Sequence, residues 1–248
     1  MLSVHQGRPA GLVAQAAVLA VLAGTVGLGP VGWAAGLVYG AGVVILLSMA
    51  LHRSGRAVLG PADLVTLLRS ALVGGVAALV TDSFSRSVPA AALVVLAGVA
   101  LLLDGVDGRV ARRTGTVSEV GARFDMEVDS VLVLLLSVSA ARSLGVWVLA
   151  IGSVRYVRLV AGRLSPWLRR PVPPRYWCKV VAVVQGVVLT AAAADVLPRA
   201  VAVLALVVVA GLLAESFGRE VSGLRRIRRV APAVEVEAEA AVVGSRHG

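Results

Sequence analysis

Apolar residues run along this chain in long unbroken stretches, and polar or charged residues are confined to short breaks between them. Eight stretches stand out, at approximately residues 12 to 28, 31 to 51, 62 to 80, 89 to 108, 122 to 142, 146 to 163, 178 to 195 and 199 to 217. Each approaches the roughly 20 residues that a helix needs to cross a hydrocarbon core of about 30 Å. A segment in lipid must satisfy its own backbone polar groups, so these runs predict helices and not strands. Their many Ala and Gly residues suit close helix packing. The fold class expected is all-α, a polytopic membrane helix bundle of about eight transmembrane helices.

Composition agrees with that solvent. Of 248 residues, 58% are hydrophobic and 15% charged, a balance that a soluble domain of this size could not hide from water. The formal charge of +10 rests almost wholly on arginine, with Lys179 the single lysine. Elsewhere such a charge would suggest a nucleic-acid partner. Here the basic residues fall mostly in short loops, where they orient helices and meet anionic headgroups, so no nucleic acid is expected. Cys178 is the single cysteine, which excludes an intramolecular disulfide and the paired-cysteine metal patterns. Met1 to Gly11 lacks the charged start and cleavage site of a signal peptide, and the first apolar run is expected to be retained.

The loops alternate in charge. Arg53 and Arg56 follow the second run; Arg109, Arg112, Arg113 and Arg123 follow the fourth; Arg163, Arg169, Arg170 and Arg175 follow the sixth; and the tail adds Arg219, Arg225, Arg226, Arg228 and Arg229. The intervening loops carry almost no net basic charge. The positive-inside rule then puts both termini in the cytoplasm of a multi-pass plasma-membrane protein. Three regions are expected: a two-helix membrane extension at 1–60, a six-helix core at 61–218, and a tail at 219–248. The tail is basic and then of low complexity, and is expected to be disordered. No convincing internal repeat is present.

Chemistry concentrates between residues 104 and 129, which read DGVDGRVARRTGTVSEVGARFDMEVD. Asp104 and Asp107 are spaced i, i+3 at the end of the fourth run, and Asp125 and Asp129 are spaced i, i+4 at the start of the fifth. On helices each pair shares one face. A hairpin joining the two runs can bring four carboxylates together at the cytoplasmic face. Four anions that close repel unless cations intervene, and a hard divalent ion taking oxygen ligands, Mg²⁺ or Mn²⁺, is the natural compensator. Interfacial carboxylates paired with nearby arginines are the plainer reading, but four at helical spacing on adjacent spans outweigh it. Gly108 and Gly121, beside the carboxylates, would let a ligand approach the backbone closely. The spacing fits neither a phosphate-binding P-loop nor an EF-hand calcium loop. His5, His52 and His247 lie outside the apolar core or in tails.

The same stretch resembles the signature of the CDP-alcohol phosphatidyltransferase family, D-x-x-D-G-x-x-A-R, eight residues, then G-x-x-x-D-x-x-x-D. Every signature position is filled, by Asp104, Asp107, Gly108, Ala111, Arg112, Gly121, Asp125 and Asp129. Just before it, Pro61 to Arg69 is similar to the family's P-N-x-x-T-x-x-R lead-in, with Asp63 in place of the usual Asn. The resemblance implies a six-helix core with the motif on its second and third helices, so that residues 12 to 51 would be an addition. It implies transfer of a phosphatidyl group from a CDP-alcohol, expected to be CDP-diacylglycerol, to an acceptor alcohol with release of CMP, in phospholipid biosynthesis. By that resemblance Asp104, Asp107, Asp125 and Asp129 would hold the divalent ions, and Asp129 would take the acceptor proton. Gly108, Ala111, Arg112, Ser118 and Gly121 would line the cytidine and phosphate pocket.

On the acceptor side, Arg155 and Arg158 at the end of the sixth run, with Arg175 and Lys179 at the start of the seventh, would suit an acceptor carrying phosphate. Snorkelling to lipid headgroups is an equal account of the four. The partners expected are a CDP-alcohol lipid donor, an alcohol acceptor and membrane lipids, with a homodimer left open. An ion-coupled transporter or a non-catalytic scaffold remain the alternatives. A transporter would be expected to carry its carboxylates at mid-span or in inverted repeats, and a scaffold would have no need of the full carboxylate set.

Overall fold

The computed structural model describes residues 2–54, 58–59, 61–114, 119–164 and 176–244. Eight helices make up almost all of it: α1 (Val4–Thr25), α2 (Pro30–Ser54), α3 (Pro61–Asp82), α4 (Ala90–Thr114), α5 (Glu119–Leu144), α6 (Val148–Leu164), α7 (Tyr176–Ala193) and α8 (Arg199–Gly244). The one departure is a two-residue antiparallel pairing of β1 (Leu2–Ser3) with β2 (Val58–Leu59). Helices α2, α3 and α8 hold segments long and apolar enough to span a bilayer, Pro30–Ala50, Asp63–Asp82 and Arg199–Arg219, and shorter apolar segments lie in α1, α4 and α7. The molecule is a helical membrane bundle, and its expected all-α class holds.

The burial pattern fits lipid as the outer solvent. Val38, Leu102, Leu204 and Val208 are exposed, while Gln15, Thr66, Arg69, Ser70, Gln185 and Thr190 are buried. Polar side chains in a membrane turn toward the bundle interior because hydrocarbon offers them no partner. Gln185 of α7 is one example, donating from Nε2 to the Ile151 carbonyl of α6 at 3.2 Å.

Helix α3 is the hub. It packs against α1, α2, α4 and α5, and Val73, Val76, Leu79 and Val80 from it join Ala97, Ala100, Leu132 and Leu136 in the main core. Both α4 and α5 pack on α3 and on α7, so the two helices that carry the aspartates share the same two neighbours. Close approach of α5 and α6 depends on Gly152: a Cβ there would stand 2.7 Å from Ser137 Oγ and 3.1 Å from Leu134 Cα.

At the C-terminal end α8 runs on through Gly244, into the third of the expected regions. Ala, Glu and Arg, which recur after Arg219, are among the strongest helix formers.

Candidate active site

Arg69 lies two turns into α3 and its side chain is wholly buried. It is the single basic residue inside the third apolar run. A guanidinium at that depth is costly unless it is paired, and α4 and α5 supply the pairs. Nη1 donates to Asp104 Oδ1, and Nη2 donates to Asp125 Oδ1 and, at 3.2 Å, to the Asp125 carbonyl. Asp129 Oδ1 stands 3.3 Å from Nη2. The planar fork of arginine thus ties both aspartate helices to α3, which a lysine's single ammonium could not do with the same geometry.

The three carboxylates are drawn close together. Asp104, Asp125 and Asp129 each offer an oxygen, and these oxygens all lie within 4.8 Å of one another. Two oxygens on opposite sides of one Mg²⁺ are about 4.2 Å apart, from a metal–oxygen distance of about 2.1 Å. A spacing of this size is compatible with the set holding one ion. Arg69 supplies one positive charge against the three negative charges of these aspartates, so the quartet by itself leaves two negative charges in excess. The donors are all oxygen, half-exposed and net anionic, which fits a hard divalent cation.

Of the residues expected in the site, Asp104, Asp125 and Asp129 are brought together and Gly121 lies one turn before Asp125 on α5. Ser118 and Arg175 lie outside the described residues, as do the side chains of Asp107, Gly108, Ala111, Arg112 and Lys179. On α6, Arg155 and Arg158 sit one turn apart. Arg155 is half-buried and its Nη2 reaches Glu127 Oε1 at 2.7 Å, whereas Arg158 is exposed. Glu127 lies between Asp125 and Asp129 in sequence, but on a helix residues two apart point to different faces, so the Arg155–Glu127 pair ties α6 to α5 without itself joining the aspartate cluster.

Two residues of this arrangement escape a reading of the motif alone. Arg69 closes the lead-in segment, and its signal was a lone arginine within an apolar run, since an ionisable group inside a span is functional by default. Glu127 gave no comparable signal, because nothing in its spacing indicates that α6 will face it.

A helical membrane bundle with a cluster of aspartates around a buried arginine is the class of protein that the fold and site define. The family model for CDP-alcohol phosphatidyltransferase matches residues 59–213, from just before α3 to within α8, and the chain belongs to that family. Comparison with curated proteins and with solved structures returned no match. Membership carries the general reaction, transfer of a phosphatidyl-type group from a CDP-alcohol donor to an acceptor alcohol. The helices α1 and α2 precede the matched region.

Proposed function

We propose that this enzyme transfers a phosphatidyl group from CDP-diacylglycerol to an acceptor alcohol at the cytoplasmic face of the plasma membrane, as a step of phospholipid biosynthesis. The observation that carries the reading is the convergence of Asp104, Asp125 and Asp129 on Arg69 within the family-matched helices. Mg²⁺ or Mn²⁺ held by these aspartates together with Asp107 would neutralise the donor diphosphate and orient it for attack.

The chain's own residues do the rest. Asp129 accepts the proton of the acceptor hydroxyl as its oxygen bonds to the phosphatidyl phosphorus. The bond from that phosphorus to the CMP oxygen breaks, and CMP leaves with the electron pair. Arg69 keeps Asp104 and Asp125 in register, so the carboxylates meet the substrate already arranged and little reorganisation is left to the reaction. Gly121, with Gly108, Ala111, Arg112 and Ser118, lines the cytidine and phosphate pocket. Arg155, Arg158, Arg175 and Lys179 face the acceptor. The pairing of Arg155 with Glu127 supports a role beyond snorkelling, because a snorkelling arginine reaches for headgroups and not for a carboxylate on a neighbouring helix.

The test uses the purified full chain in detergent, labelled CDP-diacylglycerol, a panel of acceptor alcohols with and without phosphate, and Mg²⁺ or Mn²⁺. Release of CMP that requires both acceptor and divalent ion, and stops with chelator, supports the reading. Absence of CMP release across the panel, with the donor bound, would sink the choice of CDP-diacylglycerol.

A further inference from the structure

The two helices outside the family-matched region are tied to the core at three levels. At the start of α2, the Gly29 N–H donates to the buried Asp82 Oδ2 of α3 at 2.9 Å. Midway, Gln15 of α1 fills the space over Gly40 of α2 and Gly74 of α3; a Cβ on Gly40 would stand 2.7 Å from Gln15 Cγ, and one on Gly74 would overlap the Gln15 amide. Toward the end of α2, Leu47 forms a cluster with Leu67 of α3 and with Phe124, the residue before Asp125. Helix α2 also touches α5 itself. These contacts hold α2 in a fixed place against the wall of the aspartate site.

Tyr39 stands on α2 next to Gly40, at the second of those levels. Its ring packs against the main core, and its hydroxyl is shut off from solvent with no hydrogen-bond partner among the described residues. The groups within its electrostatic range are Arg69 of α3, Asp129 of α5 and Tyr156 of α6. Of these three, Arg69 and Asp129 already belong to the site. A buried hydroxyl without a partner costs free energy, and such a group in a native protein calls for a partner that arrives later. A phenylalanine would have filled the same space without that cost.

We propose that the Tyr39 hydroxyl donates a hydrogen bond to an oxygen of a bound substrate, so that the two-helix extension forms part of the active-site wall. This rests on the phosphatidyl-transfer reading above. The oxygen belongs either to the CDP-alcohol donor or to the acceptor alcohol, and the measurement separates the two.

The decisive variant is Tyr39→Phe, which keeps the ring and deletes the hydroxyl. Initial rates are measured with each substrate varied in turn, alongside the thermal midpoint of the purified protein with and without CDP-diacylglycerol. A KM raised about three- to tenfold for one substrate, the size of losing one neutral hydrogen bond, supports the proposal and names the substrate that Tyr39 contacts. If the donor is that substrate, its stabilisation of the folded protein shrinks as well, a readout independent of turnover. Wild-type KM for both substrates overturns the proposal. So does a lower thermal midpoint with no change in either KM, which is the behaviour expected of Leu19→Ala, a packing variant between α1 and α2 that spares the hydroxyl. A wild-type protein that releases no CMP would instead sink the transfer reading, so the two failures are distinct.

Discussion

Arg69 Nη2 and Asp129 Oδ1 stand 3.3 Å apart, and the same guanidinium also holds Asp104 and Asp125. A residue of α3 thus supplies positive charge where a divalent ion would also be attracted. Removing it should expose the repulsion that it screens. Breaking a fully buried pair costs about 3–5 kcal/mol, and here the cost is reduced because the three aspartates are 38%, 32% and 41% exposed. Arg69→Gln is expected to lower the thermal midpoint in chelator by several degrees and to recover part of that loss when Mg²⁺ is added. Thermal unfolding with and without metal checks this; an equal loss in both conditions would count against shared use of the carboxylates.

The aspartates should separate by role. Asp104→Asn and Asp125→Asn keep the side-chain shape and remove a charge, so each should raise the metal concentration needed for half-maximal activity by at least about tenfold, the size of losing about 1.5 kcal/mol at the ion. Asp107→Asn is expected to follow them. Asp129→Asn should abolish CMP release while CDP-diacylglycerol still binds, because the proton acceptor is lost with the rest of the site in place. Metal titrations of rate and donor binding by thermal shift measure both effects.

Arg155 and Glu127 make the acceptor question testable. Should the acceptor carry a phosphate that binds Arg155, Arg155→Ala is expected to cost roughly ten- to a hundredfold in kcat/KM for that acceptor, since a charge-assisted hydrogen bond is worth about 1.5–3 kcal/mol. Glu127→Gln frees the arginine and should lower the KM for the same acceptor. Equal losses for phosphorylated and unphosphorylated acceptors would leave Arg155 a structural partner of Glu127.

Sidedness can be read with single cysteines. In a Cys178→Ala background, cysteines at Phe84, Ser143 and Leu197 are expected to react with an impermeant reagent added to intact cells, and one at Ser245 only after lysis. Phe84 and Ser143 are exposed, so failure to label there would reverse the orientation.

What the chain declares by itself is local. Run length predicts each helix, the i, i+3 and i, i+4 spacings put each aspartate pair on one face, and the filled signature from Asp104 to Asp129 points to the family, because all of these depend on neighbours within a turn or two. Tertiary packing decided the rest. That Arg69 bridges both aspartate helices, that Glu127 meets Arg155, and that Tyr39 of α2 comes within range of Asp129 all depend on which helix faces lie against one another. Those choices are made by side-chain fit across the bundle, such as Gln15 over Gly74 and Ser137 against Gly152, between residues far apart in sequence. No periodicity along one segment can encode the partner on another.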